Sequence, residues 1–136
     1  MEKAAFKLDT YRFTKASLNF NIQEKAELDV SFNPKGFFND KEACYNLYFD
    51  VTIEYKKTNT KVIEVSCEAS FSFAESLSIN DIPDFFYPNS LAIIFPYIRA
   101  FVSTLSLQAN VRPIILPTIN LSGLKQELKN NTKVIE

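Results

Sequence analysis

Residues 45–73, YNLYFDVTIEYKKTNTKVIEVSCEASFSF, decide the fold. Tyr45, Leu47, Phe49, Val51, Ile53 and Tyr55 alternate with Asn46, Tyr48, Asp50, Thr52 and Glu54, the period of two that sends alternate side chains to opposite faces of a strand. Beyond Lys56, Lys57, Thr58, Asn59 and Thr60, a second run answers the first. Ile63, Val65, Cys67, Ala69, Phe71 and Phe73 point one way, and Glu64, Ser66, Glu68, Ser70 and Ser72 the other. Two strands with one apolar and one wet face make an antiparallel hairpin covered on one side. The rest of the chain has to supply the cover.

Toward the N-terminus, Ala26, Leu28, Val30 and Phe32 alternate with Glu27, Asp29 and Ser31, and Asn33, Pro34, Lys35 and Gly36 read as a turn ending that strand. From Phe6 to Ile22 the apolar positions slip phase twice: Phe6 and Leu8, then Tyr11 and Phe13, then Ala16, Leu18, Phe20 and Ile22. A side-chain period of two survives such slips only through a bulge or a break, which predicts two short strands or one bent strand.

Toward the C-terminus, Ser76 to Asp84 is a polar connection and Asn89 or Ser90 the expected helix N-cap. Pro96 is expected to kink the helix or to begin a second one. Tyr97, Ile98, Phe101, Val102, Leu105 and Ala109 form a broad stripe of helical period, the natural cover for the sheet or for another copy. Arg112 and Pro113 stop the helix, and Ile114 to Leu121 is expected to be extended between its prolines. Ser122 caps a short last helix with Leu121, Leu124 and Leu128 on its apolar edge, and Asn130 to Glu136 is expected to fray. The fold class is α+β: a twisted four-stranded antiparallel sheet with a long and a short C-terminal helix on one face. We expect one domain over residues 1–136, with the sheet in about 1–75 and the helices in about 85–131.

The 136 residues contain thirteen Phe and six Tyr but no Trp, no His and only two Gly. Without histidine the usual general base and the commonest metal ligand are missing. Gly36 and Gly123 alone cannot build a phosphate-cradling loop, and no nucleophile elbow is present. Glu64, Glu68, Glu54 and Asp50 read as solvated carboxylates of an open sheet face, without the cleft that acid–base catalysis needs. We therefore expect no enzyme, no metal and no cofactor. A formal net charge of −1 leaves no field to gather nucleic acid or anionic lipid. Met1 to Asp9 carries Glu2, Lys3, Lys7 and Asp9 without an apolar core, so it is no secretory signal and a cytoplasmic location is expected. Arg99 and Pro96 argue against membrane insertion of the apolar tract Leu91 to Leu107. Cys44 and Cys67, expected roughly 20 Å apart along adjacent strands, read as small reduced residues.

That leaves surfaces. Phe37, Phe38, Phe85 and Phe86 are paired aromatics in what read as connections; they either plug the ends of the sheet or line an apolar groove. Arg99 either reaches the surface beside an apolar stripe or takes part in binding.

The run Tyr87-Pro88-Asn89, then Phe95-Pro96-Tyr97-Ile98-Arg99, then Leu116-Pro117-Thr118-Ile119-Asn120-Leu121, following a four-stranded sheet, resembles the SecB family of export chaperones. The resemblance implies an ATP-independent holdase, a dimer of dimers that takes unfolded polypeptides in long apolar grooves. It assigns client binding to Phe37, Phe38, Phe85, Phe86, Ile114, Ile115, Leu121 and Leu124, and subunit association to Tyr97, Phe101 and Leu105. It also implies a contact of Glu64 with the SecA motor, the first-strand acidic position being Ala16 here. The loop between the first two strands, long in the family, is reduced to about Asn21 to Lys25. A chaperone dedicated to a single client, such as the antitoxin of a toxin–antitoxin pair, is the alternative, and a non-chaperone interaction module is the rival from another class.

Overall fold

In the computed structural model, which describes residues 5–20, 27–117 and 120–135, the hairpin forms as its alternation requires. Strand β3, Cys44–Tyr55, pairs antiparallel with β4, Lys61–Phe73, across a turn in which Asn59 takes a positive φ of 55°. Cys67 faces Phe49, and Cys44 faces Ser72. Both cysteines are free. Strand β1, Phe6–Leu18, lies along β4, and β2, Leu28–Asn39, lies along β3. The slipping phase of β1 resolves as one strand with register shifts between Leu8 and Thr10 and between Phe13 and Lys15. Each shift restores the apolar side chains to the inner face.

The fold is α+β, with one strand more than expected. Thr132–Val134, in the tail that was expected to fray, forms β5, parallel to β2 at Gly36–Phe38, and the sheet order is β1-β4-β3-β2-β5. The expected turn at Asn33–Gly36 is also absent, because β2 runs straight through it to Asn39. Proline is tolerated at an edge position that owes no ladder hydrogen bond. Pro34 instead offers its carbonyl to Asn131 Nδ2. Gly36 is required because the Tyr45 ring lies across it, where a Cβ would collide with the phenol. The chain turns later, around Ala43, whose φ is 51°.

Helix α1, Phe86–Gln108, has Phe85 as its N-cap, four residues before Asn89 and five before Ser90, and no side-chain cap. Ser90 is buried instead, its hydroxyl donating to the Tyr87 carbonyl at 2.9 Å. Pro96 lies inside a continuous helix. Both Pro96 and Ala92 are on the exposed side, so the carbonyl that loses its donor is left to water. The helix runs along β1, Phe86 meeting Phe6, Tyr97 meeting Tyr11 and Phe101 meeting Phe13, while Phe95 reaches across to Phe32 of β2. Tyr87, Leu91, Ile94, Ile98 and Val102 form the buried stripe over the inner faces of β3 and β4. A 3₁₀ turn, Leu121–Leu124, leads into α2, Lys125–Asn130. The cap of that turn is Asn120, not Ser122, which donates both its N–H and its hydroxyl to the Asn120 side chain, and α2 itself follows from Leu124 without a side-chain cap. Asp84 ties α2 to the start of α1 through Lys125 at 3.5 Å and Lys129 at 2.9 Å.

Candidate functional site

The predicted surface residues divide sharply. Phe38 and Phe86 are wholly buried and Leu121 nearly so. Phe38 is not in a connection: it lies in β2 with its ring against Phe73. Phe86 sits among Phe6, Tyr45, Phe71 and Phe73. These three are core residues and out of reach of a partner; burying each contributes about 1.5–3 kcal/mol. Phe37, the next residue along β2, points to the opposite face, where its ring packs edge-on to Tyr48. It therefore shares no surface with the helix side of the sheet.

Phe85 and Ile115 remain fully available, at 52% and 66% exposure. Ile114 and Leu124 are half-buried beside the core. Ile114, Ile115 and Leu116 alternate half-buried, exposed and buried, in a segment that belongs to no helix or strand. Phe85 opens α1, and the Ile114 segment packs near its far end through Ser103 and Ser106. The structure thus brings Phe85 and Ile115 to two ends of one long helix, not into a single pocket.

Tyr97, Phe101 and Leu105 are only partly free. Tyr97 stacks on Tyr11 at 4.2 Å and Phe101 on Phe13 at 3.9 Å, so these rings seal α1 to β1 within the chain. Such contacts are worth about 0.5–1.5 kcal/mol each beyond area burial. The uncovered side of α1 carries the exposed edge of Tyr97 together with Ile93, Ala100, Thr104 and Leu107, all exposed, with Leu107 at 59%. Their four-three-four-three spacing is that of a helix-association seam. The broad stripe read from sequence straddled two faces; Ile93, Ala100, Thr104 and Leu107 were missed, though their period was present in the chain. Arg99 is the only charged residue of α1, and it is exposed. By length and composition alone the helix is apolar enough to cross a membrane.

On the other face of the sheet, Glu64 sits 3.2 Å from Lys61 Nζ and within 3.4 Å of the Ser17 hydroxyl. The lysine bond, then nearby positive charge, holds its carboxyl below the usual range. Its neighbour on β1 is Ser17, not Ala16, whose register partner is Val65. Glu68 pairs with Arg12 at 3.1 Å. Among the described residues, no group of three or more His, Cys, Asp or Glu side chains is placed to hold a metal ion. The shortened loop at Asn21 to Lys25 lies outside the described residues, as do Ala26, Thr118 and Ile119.

Comparison with known proteins agrees with this geometry. The family model described as the preprotein translocase subunit SecB matches residues 11–131. An uncharacterized protein of Methanocaldococcus jannaschii, MJ0357, is 29% identical over 110 residues, spanning 66% of this chain and 71% of that one. Among solved structures, the Mycobacterium tuberculosis SecB-like chaperone Rv1957, in complex with a ChAD peptide from the HigA1 antitoxin Rv1956, superposes with a TM-score of 0.66 at 14% identity, covering 84% of this chain and 87% of that one. A protein of unknown function from Streptococcus agalactiae has a TM-score of 0.51 at 10% identity, over 84% of this chain and 98% of that one.

Proposed function

The chain belongs to the SecB family, and from that premise we propose that it is an ATP-independent holdase, a cytoplasmic chaperone that binds unfolded polypeptides and performs no catalysis. The observation that carries this reading is the apolar surface left uncovered along α1 and the segment after it: Phe85, Ile93, Tyr97, Leu107 and Ile115. Exposed apolar side chains spread along one long helix and the segment after it give an extended partner several points of contact. Phe85 and Ile115, with half-buried Ile114 and Leu124 beside them, take apolar segments of the client, many weak contacts adding along an extended chain. Ile93, Tyr97, Ala100, Thr104 and Leu107 form the seam between copies in a dimer of dimers, with α1 associating side by side and not entering a membrane. Glu64, ionised on the outer face, is the assigned contact for a SecA-type motor.

A second reading has its own support. The Rv1957 chaperone, which shares this fold, is in complex with an antitoxin peptide, so a single dedicated client is the alternative to general export clients. Binding of a permanently unfolded probe tests the first reading. Fluorescein-labelled, reduced and carboxymethylated lactalbumin should bind the wild-type chain and lose at least about tenfold in affinity to a Phe85→Asp/Ile115→Asp double variant, about 1.4 kcal/mol or more. A wild-type chain that ignores the probe but binds one native partner would be an interaction module or a dedicated chaperone.

A further inference from the structure

Both backbone groups of Ile114 are held by serines of α1. Its N–H donates to Ser106 Oγ at 2.8 Å, and its carbonyl accepts from Ser103 Oγ at 3.0 Å. The two serines are three residues apart and so share one side of the helix. Ser106 is fully buried, and its own proton has two acceptors in reach, the Val102 carbonyl at 3.1 Å and the Ser103 carbonyl at 2.9 Å. A hydroxyl has one proton and two lone pairs. Ser106 therefore gives its proton to its own helix and keeps its acceptor for the incoming chain. A buried serine so placed does not add to the apolar stripe in which it sits, between Val102 and the end of α1.

The consequence falls on the next residue. With Ile114 fixed half-buried and Leu116 buried at 1% exposure, Ile115 is the side chain turned outward, at 66%. We propose that Ser103 and Ser106 are positioning residues for polypeptide binding: together they clamp Ile114, so that Ile115 is presented as a pre-ordered part of the binding surface. This rests on the holdase reading above. A segment with no strand partner would otherwise have to be ordered by each client, and that cost would be taken from affinity.

The test compares full-length Ser106→Ala, Ser103→Ala and Ser103→Thr with Ile115→Asp, using the labelled carboxymethylated lactalbumin probe and hydrogen–deuterium exchange over residues 110–117. Alanine is the best helix former, so the serine variants should fold, and the thermal midpoint checks this. We expect exchange at Ile114 to be about tenfold faster in Ser106→Ala, reporting local opening. Probe affinity should fall about three- to tenfold in both alanine variants and stay at the wild-type value in Ser103→Thr, which keeps the hydroxyl. Unchanged exchange overturns the clamp. Faster exchange with unchanged affinity overturns the positioning role, and so does wild-type affinity in Ile115→Asp. None of these three outcomes decides the holdase reading, whose failure would instead show as a wild-type chain that does not bind the probe.

Discussion

At the scale of single residues, the junction of Gly36, Tyr45 and Thr132 shows how the edge of the sheet is closed. Thr132 Oγ1 gives its proton to the Leu128 carbonyl at 2.7 Å, so the Tyr45 hydroxyl is the donor in its 2.6 Å bond to Thr132. The phenol reaches that far only by passing over a residue without a side chain. Gly36→Ala should therefore cost about 1–3 kcal/mol through overpacking, and Tyr45→Phe about 1 kcal/mol through the lost bond; urea unfolding measures both. Burial also raises the Tyr45 hydroxyl above its ordinary value and pushes the Cys67 thiol from 9.0 up to about 11. In each case the folded state prefers the neutral form and the unfolded chain ionises first. The stabilisation is thus intact below pH 9.0 and is lost as pH rises toward 11. Urea midpoints across that window should fall, and Cys67→Val should flatten part of the decline.

At the scale of elements, α1 explains what could and could not be read in advance. Its existence and its apolar character were plain, but the stripe through Tyr97, Phe101 and Leu105 runs between a buried row and an exposed one. The periodicity of a helix that is apolar nearly all round does not say which row meets the sheet. The strands were legible down to the two phase slips of β1, because one wet face makes the pattern unambiguous. The end of β2 was not. Pro34 and Gly36 are turn residues by local rules, and only the edge left beyond β5 at Pro34 and the Tyr45 ring over Gly36, both tertiary facts, make them strand residues. The helix start was hidden for a similar reason: Asn89 and Ser90 look like caps, yet Phe86 and Tyr87 are pulled into the helix by burial in the core. If the exposed row of α1 is an association seam, Ile93→Glu with Leu107→Glu should lower the mass in sedimentation toward that of one chain. Helical circular dichroism should be retained, since neither side chain supports the core.

At the scale of the molecule, the sheet presents a polar face with paired charges, and α1 covers the other face without covering itself. The SecB resemblance was readable from the Phe95–Arg99 and Leu116–Leu121 runs, and residues 11–131 bear it out. The division of the aromatics was not readable, because in Phe37-Phe38 and Phe85-Phe86 one member enters the core and the other does not. Adjacent residues on a strand or helix point in different directions, and sequence does not say which direction is inward until the neighbours are known. The central property proposed for this chain is the holding of unfolded polypeptides. Light scattering of an unrelated protein, diluted from denaturant without nucleotide, tests this most directly. The wild-type chain should suppress aggregation near one functional oligomer per unfolded chain, and Phe85→Asp/Ile115→Asp should suppress it far less at equal concentration. Aggregation proceeding undiminished in an excess of wild-type protein would contradict the proposal.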